Sequence, residues 1–177
     1  MATEAQVSSA IVRGLQLCGH FAFKASDKYT SGVADILGVY SSEVALVHES
    51  VRFVPLGMVY AGSAIAIETK LVKEWPKRLD SKLLQHDLSR AQFQFLAEVN
   101  VREGLAYVAV AGPSRAPGVE VNLIDFNAWR EGAAALDGKN VTYGWLMERS
   151  NSEASLMRGN LTKGFLASAG PLEATFK

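Results

Sequence analysis

Asp35, in the run Ser31-Gly32-Val33-Ala34-Asp35-Ile36-Leu37-Gly38, and the triplet Glu68-Thr69-Lys70, at the end of an alternating apolar run, place two carboxylates and an ammonium in a suggestive order. Two carboxylates brought together at a sheet edge can hold Mg²⁺, or Mn²⁺ in its place, through hard oxygen ligands. A lysine beside them can orient or help deprotonate a water that attacks phosphorus, while the ion offsets charge developing in the transition state. That combination is the chemistry of metal-assisted phosphodiester hydrolysis. Zinc is not expected, because one cysteine and the scattered His20, His48 and His86 offer no ligand spacing.

Strand geometry decides how the triplet is presented. Side chains alternate along a strand, so Glu68 and Lys70 share a face with Ala64 and Ala66, while Ile65, Ile67, Thr69 and Leu71 share the other. The second face reads as core. The small alanines are expected to leave an open surface around the carboxylate and the ammonium.

The remaining elements follow from periodicity. Val7, Ile11, Leu15 and Cys18 recur at helical spacing and predict an amphipathic helix over 3–18 with Glu4 at the start of its stripe. Strands are expected at 20–24, 33–40, 44–48 and 62–71, with a mobile polar loop over 25–31 and a hairpin within 51–60, broken by Pro55 and Gly57. Residues 72–88 are charged, contain Pro76, and read as a loop or short helical turn lined by Lys73, Lys77, Arg78 and Lys82. Ser89 opens a helix carrying Gln92, Phe95, Leu96 and Val99 on one face, and 105–111 reads as a buried strand. Residues 119–124 suit an edge strand, and Asp125 suits the cap of a helix through Leu136. The order of strand, loop, helix and strand gives an α/β fold.

Length and composition bound the rest. The chain has 177 residues, 49% of them hydrophobic, enough for one well-packed domain. That domain is expected over 1–147, followed by a C-terminal tail over 148–177 that could pack on a second subunit. Eighteen basic residues balance eighteen acidic ones, so contacts to a polyanion must come from local clusters. A single cysteine and the lack of an N-terminal apolar segment point to the cytoplasm, and no apolar stretch approaches the roughly 20 residues a bilayer requires. The Asn-x-Thr matches at Asn140 and Asn160 carry no consequence in that setting.

The order of Glu4 in a first helix, Ser31-Gly32 then Asp35, Glu68-Thr69-Lys70, and Gln92 opening a later helix resembles the PD-(D/E)XK nuclease superfamily. Within it, the likeness is to the Holliday-junction resolvases of archaea and their viruses and to phage and bacterial VRR-NUC nucleases. It covers roughly residues 4–111, and its motifs are short. The resemblance implies a restriction-endonuclease-like mixed β-sheet flanked by helices. It implies Asp35 and Glu68 as metal ligands, Lys70 as the water-orienting group, Glu4 as a helix-borne acid and Gln92 as a supporting glutamine. It matches Ser31 more loosely. Ala34 stands where that family usually has proline, and 33 positions separate Asp35 from Glu68, so the resemblance requires an inserted hairpin at about 43–61.

Each residue also has a plainer role. Ser89 and Gln92 form a Ser-x-x-Gln capping box, Glu4 suits the first turn of a helix, and Ser31 is ordinary turn chemistry. Trp75 could stack on a base, although tryptophans more often pack. DNA contacts are expected at Lys24, Lys28, Ser31, Lys73, Lys77, Arg78 and Lys82. The expectation is a Mg²⁺-dependent endonuclease, of archaeal or phage type, that cuts branched DNA as a homodimer. The alternatives are a VRR-NUC-like enzyme acting on flaps or single strands, and a non-catalytic DNA-binding or assembly protein on the same fold. Nucleotide-binding and serine-hydrolase motifs are absent.

Overall fold

A computed structural model of the chain describes residues 3–17, 20–25, 32–40, 62–113, 119–136, 138, 140–151 and 157–161. Helix α1 (Glu4–Leu17) is capped by Thr3, whose Oγ1 accepts from Gln6 N while Gln6 Oε1 accepts from Thr3 N. Its stripe of Val7, Ile11 and Leu15 packs on one face of the sheet against Ala22, Ile36, Ile65 and Ile67. Each such buried aliphatic contributes about 2 kcal/mol relative to exposure.

The sheet contains β1 (Phe21–Lys24), β2 (Ile36–Val39), β3 (Ala64–Leu71), β4 (Leu105–Pro113), β5 (Val119–Asp125) and β6 (Met157–Leu161). They lie side by side in chain order. β3 and β4 are parallel and the other neighbours antiparallel. Helix α2 (Arg90–Val101) supplies the crossover that parallel neighbours need and covers β3 and β4 from the face opposite α1. On that face Leu96 meets Ala66, Val108 and Val110, and the core continues through Phe126 and Trp129 of α3 (Phe126–Ala135) to Leu146 of α4 (Tyr143–Asn151). Asp125 caps α3, its carboxylate accepting from Asn127 N and Ala128 N. The architecture is therefore α/β, a mixed sheet flanked by helices. No helix among the described residues is long and apolar enough to cross a membrane.

Three expectations change. β5 is not an edge strand, because β6 pairs along it from Val119↔Leu161 to Leu123↔Met157. The segment from Glu148 onward, expected as a tail, carries the end of α4 and the whole of β6. Its short, weakly apolar strand lacks the alternation by which strands are recognised. Finally, the face around Glu68 is not open: Ala66 is fully buried beneath α2, and only Ala64 is exposed. The hairpin expected at 43–61, the strand expected at 44–48 and most of the loop at 25–31 lie outside the described residues.

Candidate active site

The site grows out of a mismatch in strand length. β2 stops pairing with β3 at Ile36↔Ile67, while β4 runs beside β3 through Leu71↔Ala111. Past Ile67, no strand among the described residues lies beside the edge of β3 that faced β2, and its backbone N–H groups need other partners. Two carboxylates take that place. Asp35 Oδ2 accepts from Thr69 N at 2.9 Å, and Glu4 Oε1, from the first turn of α1, accepts from Leu71 N at 3.2 Å. The backbone of Asp35 is held in turn by Ala25 N, which donates to its carbonyl at 2.8 Å. Asp35 is thus held against the residue that follows Glu68, close enough for its charge to act on the Glu68 carboxyl.

On the α2 face of β3, Lys70 Nζ donates to Glu68 Oε1 at 2.8 Å. Gln92 Nε2 donates to the same oxygen at 2.5 Å. Gln92 Oε1 lies 3.3 Å from Lys70 Nζ and accepts from Ser89 N at 2.9 Å. Ser89 Oγ accepts from Gln92 N, which completes the capping box of α2. One side-chain amide therefore both caps α2 and bridges Glu68 and Lys70.

Glu68 is only 1% exposed, and its second oxygen, Oε2, is buried with no hydrogen-bond partner among the described residues. Burial pushes its carboxyl up to about 7 from an ordinary 4.5, against the hydrogen bond from Lys70. The charges of Asp35 and Glu4 push it further up, and that of Lys70 pulls it down. One ammonium thus acts on Glu68 against the charges of two other carboxylates. An orphaned, desolvated carboxylate oxygen beside a second carboxylate is what a hard divalent cation would complete. Among the described residues no group of three His, Cys, Asp or Glu could hold a metal. An ion there would take much of its shell from water and phosphate oxygens, as Mg²⁺ does in phosphoryl-transfer sites.

The other expected residues spread more widely. Lys24 ends β1, where its Nζ donates to Ala5 O of α1 at 3.3 Å. Lys28 and Ser31 lie outside the described residues. Lys73, Lys77, Arg78 and Lys82 are exposed on the loop that follows β3. Arg78 is paired in bidentate fashion with Asp80, at 3.0 and 2.7 Å, so part of its charge is spent locally. The loop is pinned to the start of α4 by Tyr143 N donating to Ser81 O and Gly144 N donating to Leu79 O. Trp75 stacks on Tyr143 and donates through Nε1 to Pro113 O at 2.8 Å, so it packs rather than presenting a free ring. His20 is buried against Tyr40, burial lowering its pKa, and His86 is exposed far along the loop.

One feature of the site escaped the sequence reading. Ser8 Oγ, on the buried side of α1, lies 2.9 Å from Glu4 O and 3.2 Å from Thr69 Oγ1. A serine on the apolar stripe four residues after Glu4 was the available signal.

No family model matches the chain, and no curated protein matches it. Among solved structures the chain is similar to Hjc, a Holliday junction resolvase from the archaeal hyperthermophile Archaeoglobus fulgidus. The identity is 15% over 94% of this chain and 99% of that chain, with a TM-score of 0.42. A superposition this loose says nothing about side chains, so the site rests on its own geometry.

Proposed function

We propose that this chain is a metal-dependent DNA endonuclease that hydrolyses phosphodiester bonds, with branched DNA such as a four-way junction as its substrate. The observation that carries the reading is the buried Oε2 of Glu68, without a hydrogen-bond partner among the described residues, on a carboxylate whose Oε1 is held by Lys70 and Gln92 and whose protonation is sensitive to the charge of Asp35. Asp35 and Glu68 would hold the ion, Mg²⁺ or Mn²⁺. Bound there, it supplies Lewis-acid stabilisation of the charge that builds on the scissile phosphate. Lys70, already fixed between Glu68 and Gln92, orients the attacking water. Gln92 keeps Glu68 and Lys70 in register, and Glu4 adds negative charge on the cation side of the site. The exposed Lys73, Lys77 and Lys82 supply phosphate contacts sensitive to salt. Branched DNA is chosen on the order of the sequence motifs, and a two-fold homodimer suits paired cuts across a junction.

The test is cleavage of a four-way junction, a flap, a single strand and a linear duplex in Mg²⁺ and then Mn²⁺, by wild type and Glu68→Ala. Symmetric junction cutting that is lost in the variant supports the proposal. Cutting only of flaps or single strands moves the substrate to the VRR-NUC-like alternative. A folded wild type that binds junctions and cuts nothing leaves the non-catalytic alternative, and normal cutting by Glu68→Ala overturns the site.

A further inference from the structure

Thr69 sits between Glu68 and Lys70 but faces the other way, into the interface with α1, where it is 1% exposed. It meets the site from three directions. Its N–H is the group that Asp35 Oδ2 holds. Its Oγ1 is 3.2 Å from Ser8 Oγ, and Ser8 Oγ is 2.9 Å from the carbonyl of Glu4. One hydroxyl carries one proton, so Ser8 cannot donate fully to both neighbours. The consistent arrangement is a chain in which Thr69 Oγ1–H donates to Ser8 Oγ and Ser8 donates to Glu4 O.

This chain is out of place in its surroundings. The buried cluster between α1 and the sheet is built from aliphatic residues such as Val7, Ile11, Leu15, Ile36, Ile65 and Ile67, and the other polar contacts of α1 with the sheet, Gln16 to Ala22 O, Lys24 to Ala5 O and Leu71 N to Glu4, are exposed or only partly buried. Aliphatic packing is non-directional and tolerates sliding of a helix over a sheet. A buried hydroxyl pair does not, because a slide would leave both groups desolvated and unpaired. Its contact lies at the first turn of α1, next to the carboxylate that reaches Leu71 N, rather than along the middle of the helix.

We propose that Ser8 and Thr69 are positioning residues: their hydroxyl pair fixes the first turn of α1 against β3, and thereby sets the Glu4 carboxylate on the unpaired edge of β3 beside Asp35. Neither residue touches the reacting atoms. The effect on catalysis passes through Glu4, so the inference rests on the nuclease reading for its consequence. It does not rest on that reading for its geometry.

The experiment follows the Leu71 amide, which reports the Glu4 contact directly, by ¹⁵N NMR hydrogen exchange on the full chain without metal. Glu4→Ala sets the scale for a lost contact. Thr69→Val and Ser8→Ala are expected to speed Leu71 exchange several-fold and to shift its resonance toward the Glu4→Ala position. Thr69→Ser, which keeps the hydroxyl, retains the wild-type signal. Combining Thr69→Val with Glu4→Ala adds nothing further at Leu71. A Leu71 amide in Ser8→Ala and Thr69→Val that exchanges as in wild type overturns the proposal, whatever the cleavage assays give. If one of the two does not fold, the other decides, since both act on one contact. In cleavage, the same variants raise the Mg²⁺ concentration for half-maximal rate several-fold while the rate at saturating Mg²⁺ is largely kept. Faster Leu71 exchange in these variants of a chain whose wild type cuts nothing leaves the positioning intact and removes the nuclease reading instead.

Discussion

Replacing Glu68 by glutamine should make the metal-free protein more stable at neutral and alkaline pH. Glutamine keeps an oxygen for Lys70 and Gln92 and has nearly the shape of the protonated acid, so it imitates Glu68 with its proton on. Burial, with the charges of Asp35 and Glu4, raises the native carboxyl to about 7 from an ordinary 4.5. Between those values the native state holds a proton that the unfolded chain has released, so wild-type stability falls as pH rises through the window and is fully present below it. At about 1.4 kcal/mol per pH unit, the loss approaches about 3 kcal/mol by pH 8. The assay is urea denaturation of wild type and Glu68→Gln in EDTA from pH 4 to pH 8. The stability of the variant relative to wild type should climb by about 3 kcal/mol across that range, from whatever offset it has at pH 4. Millimolar Mg²⁺ should then restore the wild type at pH 8 and leave the variant unmoved, because only a state that binds the ion is stabilised by it. A difference that stays flat, or falls, with pH would refute the claim that Glu68 is a strained buried carboxylate.

Neighbouring charges should move the same titration in opposite directions: Asp35→Asn lowers the Glu68 midpoint and Lys70→Met raises it, both read from carboxyl-carbon NMR of Glu68. An unchanged midpoint in both would mean that burial alone sets it. Ser89→Ala should cost about 1 kcal/mol through the lost cap of α2, measured by denaturation. It should also reduce cleavage, because Gln92 N loses its acceptor Ser89 Oγ and the first turn of α2, which presents the Gln92 side chain to Glu68, is less firmly held; full activity would separate the cap from the site. Gly32→Ala should cost about 2 kcal/mol or more by thermal melting. Gly32 has φ of +90°, and an added Cβ would collide with the side chain of Ala91 at the start of α2. A variant as stable as wild type would show that the turn before Asp35 can relax.

Local signals explain which parts were legible. Periodicity located α1, β3, α2 and β4 to within a residue or two, because each carries a long buried stripe or a capping residue such as Ser89 or Asp125. Strand alternation put Glu68 and Lys70 on one face, where they do bond each other, while the contact of Gln92 with them was implied only by the resemblance in motif order. The burial of Glu68 was not legible: alternation tells which face a side chain takes, but not that α2 returns over that face and seals it. β6 was missed because Met157–Leu161 has no apolar alternation, and its place comes from pairing with β5. The partnership of Ser8 with Thr69 spans 61 positions and has no local signature at all.

The strand-length mismatch joins stability and chemistry in one place. Had β2 continued beside β3, backbone carbonyls would have taken the N–H groups of Thr69 and Leu71, and no carboxylate would be drawn to that edge. Ending the ladder at Ile36 replaces neutral acceptors with the charged side chains of Asp35 and Glu4. Hydrogen bonds to ionised acceptors are stronger, so the edge is well satisfied. The cost appears at Glu68, which faces two fixed negative charges from inside the protein, with Lys70 its only salt-bridge partner among the described residues. Satisfying the backbone therefore leaves a deficit of positive charge around Glu68, which the proposed divalent ion would relieve. If the ion binds as proposed, the order of the β3 edge and its affinity would be set by the same few contacts, and loosening one would loosen the other.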